Sequence, residues 1–148
     1  MDKSEKLALT LGATLLGIFF FATLILAKAL DQDVPECITA DSIYENGELI
    51  EIEANEVYQV KYVSKMWAFE PAEITIPAGS ELDIYLTSHD VVHGFYVRGK
   101  NVNMMAVPGT LNKKTAVFNR PGVYPVYCHE YCGTGHHFMK AEIIVTPN

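Results

Sequence analysis

The sequence predicts an all-β domain, a two-sheet sandwich or barrel, tethered by one N-terminal transmembrane helix. Two observations carry this reading. Leu7–Ala27 is an uncharged apolar run, and beyond Glu56 the pattern changes to strand-like alternation broken by Gly and Pro turns. Bulk composition agrees, because 49% hydrophobic and 20% charged residues, with 10 Gly and 7 Pro, exclude a disordered or collagen-like chain. At 148 residues there is room for one domain with a sizeable core. A formal charge of −7 argues against a nucleic-acid partner, which requires a basic footprint. Three cysteines are too few for a disulfide-dense scaffold.

The anchor comes first, within residues 1–30. A helix over the 21 residues from Leu7 to Ala27 is about 31 Å long, close to the hydrocarbon thickness of roughly 30 Å. Its only polar side chains are Thr10, Thr14 and Thr23. A cleaved signal peptide is the alternative, since Ala27-Lys28-Ala29 has the small-x-small shape of a cleavage site. The apolar run exceeds the usual signal length of about 7–15 residues, so an anchor is expected. Lys3 and Lys6 precede the run and Lys28 follows it, which favours an inside N-terminus and a domain on the outer, periplasmic side.

Residues 31–56 hold nine acids (from Asp31 and Asp33 to Glu53 and Glu56) and no Lys or Arg. A solvated acidic linker with one short helix is the expectation; a surface attracting a basic partner is the functional alternative. Cys37 lies here without a sequence partner and reads as a free thiol.

Residues 57–148 form the domain. Val57–Val63, Glu73–Ile76 and Leu82–Leu86 alternate, and further strands are expected at Gly94–Arg98, Thr115–Asn119, Val123–Cys128 and Lys140–Thr146. Turn signals separate them at Pro77–Ser80, Pro108-Gly109 and Arg120–Gly122.

Chemistry concentrates near the C-terminus. Cys128, Cys132, His136, His137 and Met139 fall within twelve residues, between two expected strands. His89 and His93 close an earlier strand. Thiolate and thioether ligands beside imidazole favour copper; zinc accepts Cys and His but has little use for Met. One Cys, two His and a weak Met make a single blue-copper site, and a second thiolate suggests a second metal. Three alternatives stay open. Cys128 and Cys132 could form a disulfide, the pair could be a copper-delivery site on a thioredoxin-like fold, or Met139 and His136 could be plain core and surface residues.

Taken together, Ser88-x-Asp90-Val91-x-His93 and Cys128-x-Glu130-x-Cys132-Gly133-x-x-His136-x-x-Met139 resemble subunit II of haem–copper cytochrome c oxidases. The resemblance runs from Trp67 to the C-terminus. The single anchor is similar to that of the B-type oxidases, whose subunit II is short and has one membrane helix.

The resemblance implies a cupredoxin-like Greek-key fold and a dinuclear copper A centre. Cys128 and Cys132 would bridge two ions, His93 and His136 would each bind one, and Met139 and the Glu130 carbonyl would be weak ligands. His89, His129 and His137 fall outside the pattern, and Asp90 is a candidate to orient an imidazole. It further implies cytochrome c as electron donor, a haem-bearing subunit I as partner, and a place in the plasma membrane. Trp67 is either a core tryptophan or the residue where electrons arrive. A mononuclear cupredoxin, a copper A domain of another reductase such as nitrous-oxide reductase, and a copper chaperone or storage module are the rival functions.

Overall fold

The structure, a computed structural model, describes residues 2–30, 36–38, 44–52 and 57–148, with 36–38 and 51–52 by their backbone alone. The chain divides into two units, Met1–Val34 and Pro35–Asn148.

In the first unit, helix α1 spans Lys3–Ala29. Asp2 and Glu5 close a capping box at its start, each side chain accepting the other residue's backbone N–H at 2.8 Å. Among the described residues, no side chain of α1 is buried. Among the described residues it is the one helix long and apolar enough to cross a membrane. The threonines suit that setting. Thr10 donates to Lys6 and Leu7 carbonyls, Thr14 to Thr10 and Thr23 to Phe20, leaving no hydroxyl to seek water.

The second unit is a sandwich of two sheets. One sheet contains β1 (Glu36–Ile38), β9 (Leu111–Phe118), β6 (Ser80–Ser88), β3 (Val57–Lys65) and β2 (Glu48–Ile52) in that order, with β4 (Ala68–Glu70) also on β3. The other runs β5 (Glu73–Pro77), β11 (Lys140–Thr146), β10 (Gly122–Tyr127), β7 (His93–Val97), β8 (Val102–Ala106). Neighbours in a sheet are mostly distant in sequence, so the chain crosses repeatedly between layers. The β3–β6 and β5–β11 pairs are parallel, which only such crossings allow.

The seven expected strands are all present. Four further strands were not anticipated. In β8, Met105 occupies an outward position and interrupts the apolar/polar alternation of Val102-Asn103-Met104-Met105-Ala106. The expected linker is also partly sheet: β1 pairs with β9 and β2 with β3, so the compact unit begins at Pro35 and not at Val57. Composition hid this, because Glu48 and Glu51 of β2 fall three positions apart and break the period-two pattern of a strand. Leu49 packs against the core while Glu48 pairs with Lys61 outside. No helix occurs among the described residues of 31–56. The side chain of Cys37 lies outside the described residues, as does the expectation of a free thiol.

The core fills the space between the sheets. Val60, Tyr62, Leu82, Ile84 and Leu86 face Phe95, Val97, Met104, Val126 and Ile143, all nearly inaccessible to solvent. Each such side chain contributes about 1.5–3 kcal/mol by leaving water. Tyr62, Phe95 and Phe69 pack ring to ring, at 4.9 and 5.3 Å between centroids. Cys128, Cys132 and Met139 belong to the same cluster, so one end of the core is made of sulfur.

Candidate metal centre

Three segments meet at that end. The first is the connection from β10 to β11, which carries Cys128 to Met139 and contains one 3₁₀ turn at His136–Phe138. Its two ends are tied together by the Cys128 N–H donating to the Met139 carbonyl at 3.3 Å. Inside, His136 N–H donates to Gly133, Phe138 to Gly135 and Met139 to His136. The second is the connection from β6 to β7, ending in His93. The third is the tight turn from β3 to β4, with Met66 and Trp67.

The sulfur atoms are close but unbonded. Cys128 and Cys132 Sγ lie 3.8 Å apart and both are free buried thiols, far from the roughly 2.05 Å of a disulfide. The disulfide alternative is therefore set aside. Met139 Sδ is 3.7 Å and His136 Nδ1 3.6 Å from Cys132 Sγ. The Cys128 thiol donates to the Glu130 carbonyl at 3.2 Å. Ligand atoms of His93, Cys128 and Cys132 all fall within 4.8 Å of one another.

His93 is fully buried, and its two ring nitrogens differ. Nε2 is 2.8 Å from Asp90 Oδ1, whereas Nδ1 is buried without a hydrogen-bond partner. A carboxylate can only accept, so the proton sits on Nε2 and a bare lone pair remains on Nδ1. An orphaned buried lone pair beside two thiols is costly unless something electrophilic fills the gap.

Electrostatics points the same way. Burial, then the neighbouring Cys128, pushes the Cys132 thiol up to about 11, so without a cation that thiol resists ionisation. Burial also opposes the charged form of Asp90. Hydrogen bonds from His93 and from the Met66 and Val91 N–H groups outweigh it and hold the carboxyl below its usual range. A soft cation fits this donor set of two thiols, two imidazole nitrogens, a thioether and a carbonyl.

The six residues expected as ligands thus converge. His89 turns away, its Nε2 3.2 Å from the Tyr44 carbonyl. His137 is exposed and stacks on Phe138, at 3.9 Å between ring centroids. His129 packs over Gly94, where a Cβ would approach its ring to 2.5 Å. Met139 is core and sulfur neighbour at once, and His136 is half-buried, not a surface residue. Trp67 corrects the core reading, being 43% exposed. Its Nε1–H donates to the Cys132 carbonyl at 3.1 Å, and its ring lies over Gly133 and Gly135. The spacing of the metal motif carries no hint of this contact; the Gly133-x-Gly135 pair is the one available sign that something large approaches.

Comparison with known proteins agrees with this geometry. Residues 48–146 match the family described as cytochrome C oxidase subunit II, periplasmic domain. The chain is 39% identical over 88 residues to cytochrome c oxidase subunit 2 of Thermus thermophilus, covering 60% of this chain and 65% of that one. For Beta vulgaris the identity is 42% over 70 residues, 47% of this chain and 27% of the relative. The chain therefore spans about two thirds or less of the length of these relatives. Among solved structures, a chain from a heme-copper terminal oxidase dimer superposes with a TM-score of 0.83 at 43% identity, covering 97% of this chain and all of that one. The periplasmic domain of subunit II of cytochrome oxidase of Bradyrhizobium japonicum, at 23% identity and TM-score 0.56 over 61% of this chain and 84% of that one, shares the cupredoxin-like fold. With two thirds of its length matched to one family, and a His/Cys/Cys cluster of the expected chemistry at one end of the sandwich, the chain belongs to the cytochrome c oxidase subunit II family.

Proposed function

We propose that this chain is the electron-receiving subunit of a haem–copper oxidase. In this reading it sits in the plasma membrane with its folded domain outside, takes electrons from cytochrome c and passes them to haem in subunit I. Oxygen reduction and proton translocation belong to that partner. The observation that carries the proposal is the bare, buried Nδ1 of His93 facing two unbonded thiols whose sulfurs lie 3.8 Å apart.

Cys128, Cys132, His93 and His136, with Met139 Sδ and the Glu130 carbonyl, would hold a pair of copper ions. When bound, such a pair supplies a one-electron couple shared over two ions. The chain's own residues prepare for it. Asp90 fixes the His93 ring and its proton, so Nδ1 is presented without rearrangement. Burial of Cys128, Cys132, His93 and Met139 keeps water out. Strands β6, β7, β10 and β11 hold the segments rigidly, so little must move when charge arrives.

The test is Cys128→Ser and Cys132→Ser in the full chain, read by copper content and electron paramagnetic resonance. Each variant is expected to fall below two ions and lose the mixed-valence signal; persistence of both overturns the proposal. One ion in the unaltered chain would favour a mononuclear cupredoxin, and a labile site without mixed valence would favour a chaperone. Co-purification with a haem-bearing subunit separates an oxidase from a nitrous-oxide reductase.

A further inference from the structure

We infer that the Met66–Trp67 turn is a clamp on the metal loop, with Trp67 and Asp90 as positioning residues that tie the two histidine-bearing segments together. The inference rests on the copper reading above for its function, but its geometry stands alone. Asp90 faces both ways: Oδ1 accepts from His93 and, at 2.6 Å, from the Val91 N–H, while Oδ2 accepts from the Met66 N–H at 2.6 Å. One residue further on, the Trp67 indole donates to the Cys132 carbonyl. A continuous path thus runs from His93 through Asp90 and the turn to Cys132.

The loop is shaped to receive the indole. A Cβ at Gly135 would lie 2.4 Å from Trp67 Cδ2, and one at Gly133 would lie 3.0 Å from Nε1. Gly133 also has φ +116°, so glycine serves both its backbone and the ring above it. Trp67 is 43% exposed to solvent, yet its indole N–H points inward. That is the arrangement of a lid fastened to a loop, not of a side chain filling a core.

The experiment uses the full chain with Trp67→Phe, which keeps a ring but loses the N–H, Trp67→Ala, Gly135→Ala, and the Gly135→Ala/Trp67→Ala pair. Two rates are measured without any electron donor: copper loss to a chelator, and modification of Cys128 and Cys132 by a disulfide reagent in the metal-free chain. Trp67→Phe is expected to lose copper roughly 10-fold faster, within the range found when groups supporting a ligand are removed. Thiol modification is expected to accelerate in the same order. Gly135→Ala is expected to be no worse in the Trp67→Ala background than Trp67→Ala alone, because the clash partner is gone. Unaltered rates in both Trp67 variants, or additive effects of the pair, overturn the clamp. A role confined to receiving electrons leaves both rates unmoved. Should the unaltered chain bind no copper, the copper reading fails while the thiol rates still decide the clamp.

Discussion

The two poles of the sandwich are built from the same strands yet end in opposite ways. At the pole away from the sulfur cluster, the β5–β6 and β7–β8 turns close on backbone. Gly79 N–H donates to Phe118, Ala78 to Thr146 and Arg98 to Pro125, all at 2.8–2.9 Å. Tyr124 caps the Arg120 carbonyl at 2.8 Å, and Lys100 reaches the Val117 carbonyl while lying over the Phe118 and Tyr124 rings. At the other pole, Cys132 Sγ lies 3.6–3.8 Å from sulfur or nitrogen atoms of Cys128, His136 and Met139, and His93 Nδ1 has no hydrogen-bond partner. A fold needs the first kind of ending for stability. The second costs stability, and such incompleteness is where a functional site is expected.

That contrast can be broken most severely through the shared core. Phe95→Ala removes the ring that packs against Tyr62 and Phe69, two residues from His93. It is expected to cost about 3–5 kcal/mol in denaturant unfolding and to abolish copper uptake with it. Asp90→Asn isolates the metal pole. Copper affinity, measured by competition, is expected to fall at least about 10-fold, roughly 1.4 kcal/mol, with the strands intact by circular dichroism.

Lys100→Met probes the opposite pole. It removes a cation held over two rings and is expected to cost about 1 kcal/mol in unfolding while leaving copper uptake unchanged. A matching loss of copper would show that the poles are not independent. The smallest effect belongs to Lys113, whose ammonium is 2.9 Å from Asp83. The hydrogen bond to Asp83 raises the Lys113 pKa, so its contribution is present below the unfolded value of about 10.4 and is lost as pH rises through the higher folded one. Lys113→Met should cost roughly 0.5 kcal/mol at neutral pH, and the difference should vanish at strongly alkaline pH in parallel melts.

Legibility also differed along the chain. Strands with clean alternation, such as β3 and β5, were readable because one face of each is buried and the other is more exposed. The ligand loop was readable because Cys, His and Met at those spacings have few structural uses. β8 and β2 were obscured by an outward methionine and by acids three positions apart. The contact of Trp67 with Cys132 joins positions 65 apart in sequence, and only the Gly133-x-Gly135 pair hints at it locally.

What the residues alone determined is therefore the chemistry: a soft donor set, an apolar anchor and a β-rich scaffold, each set by side-chain type and short-range period. What only the tertiary structure decided is which atoms are left bare. Nδ1 of His93 is a ligand atom because Asp90 occupies Nε2, and Trp67 guards the loop because the β3–β4 turn happens to overlie two glycines. Hydrogen-bond partnership and close packing depend on distances between segments far apart in the chain, and those exist only once the two sheets have met.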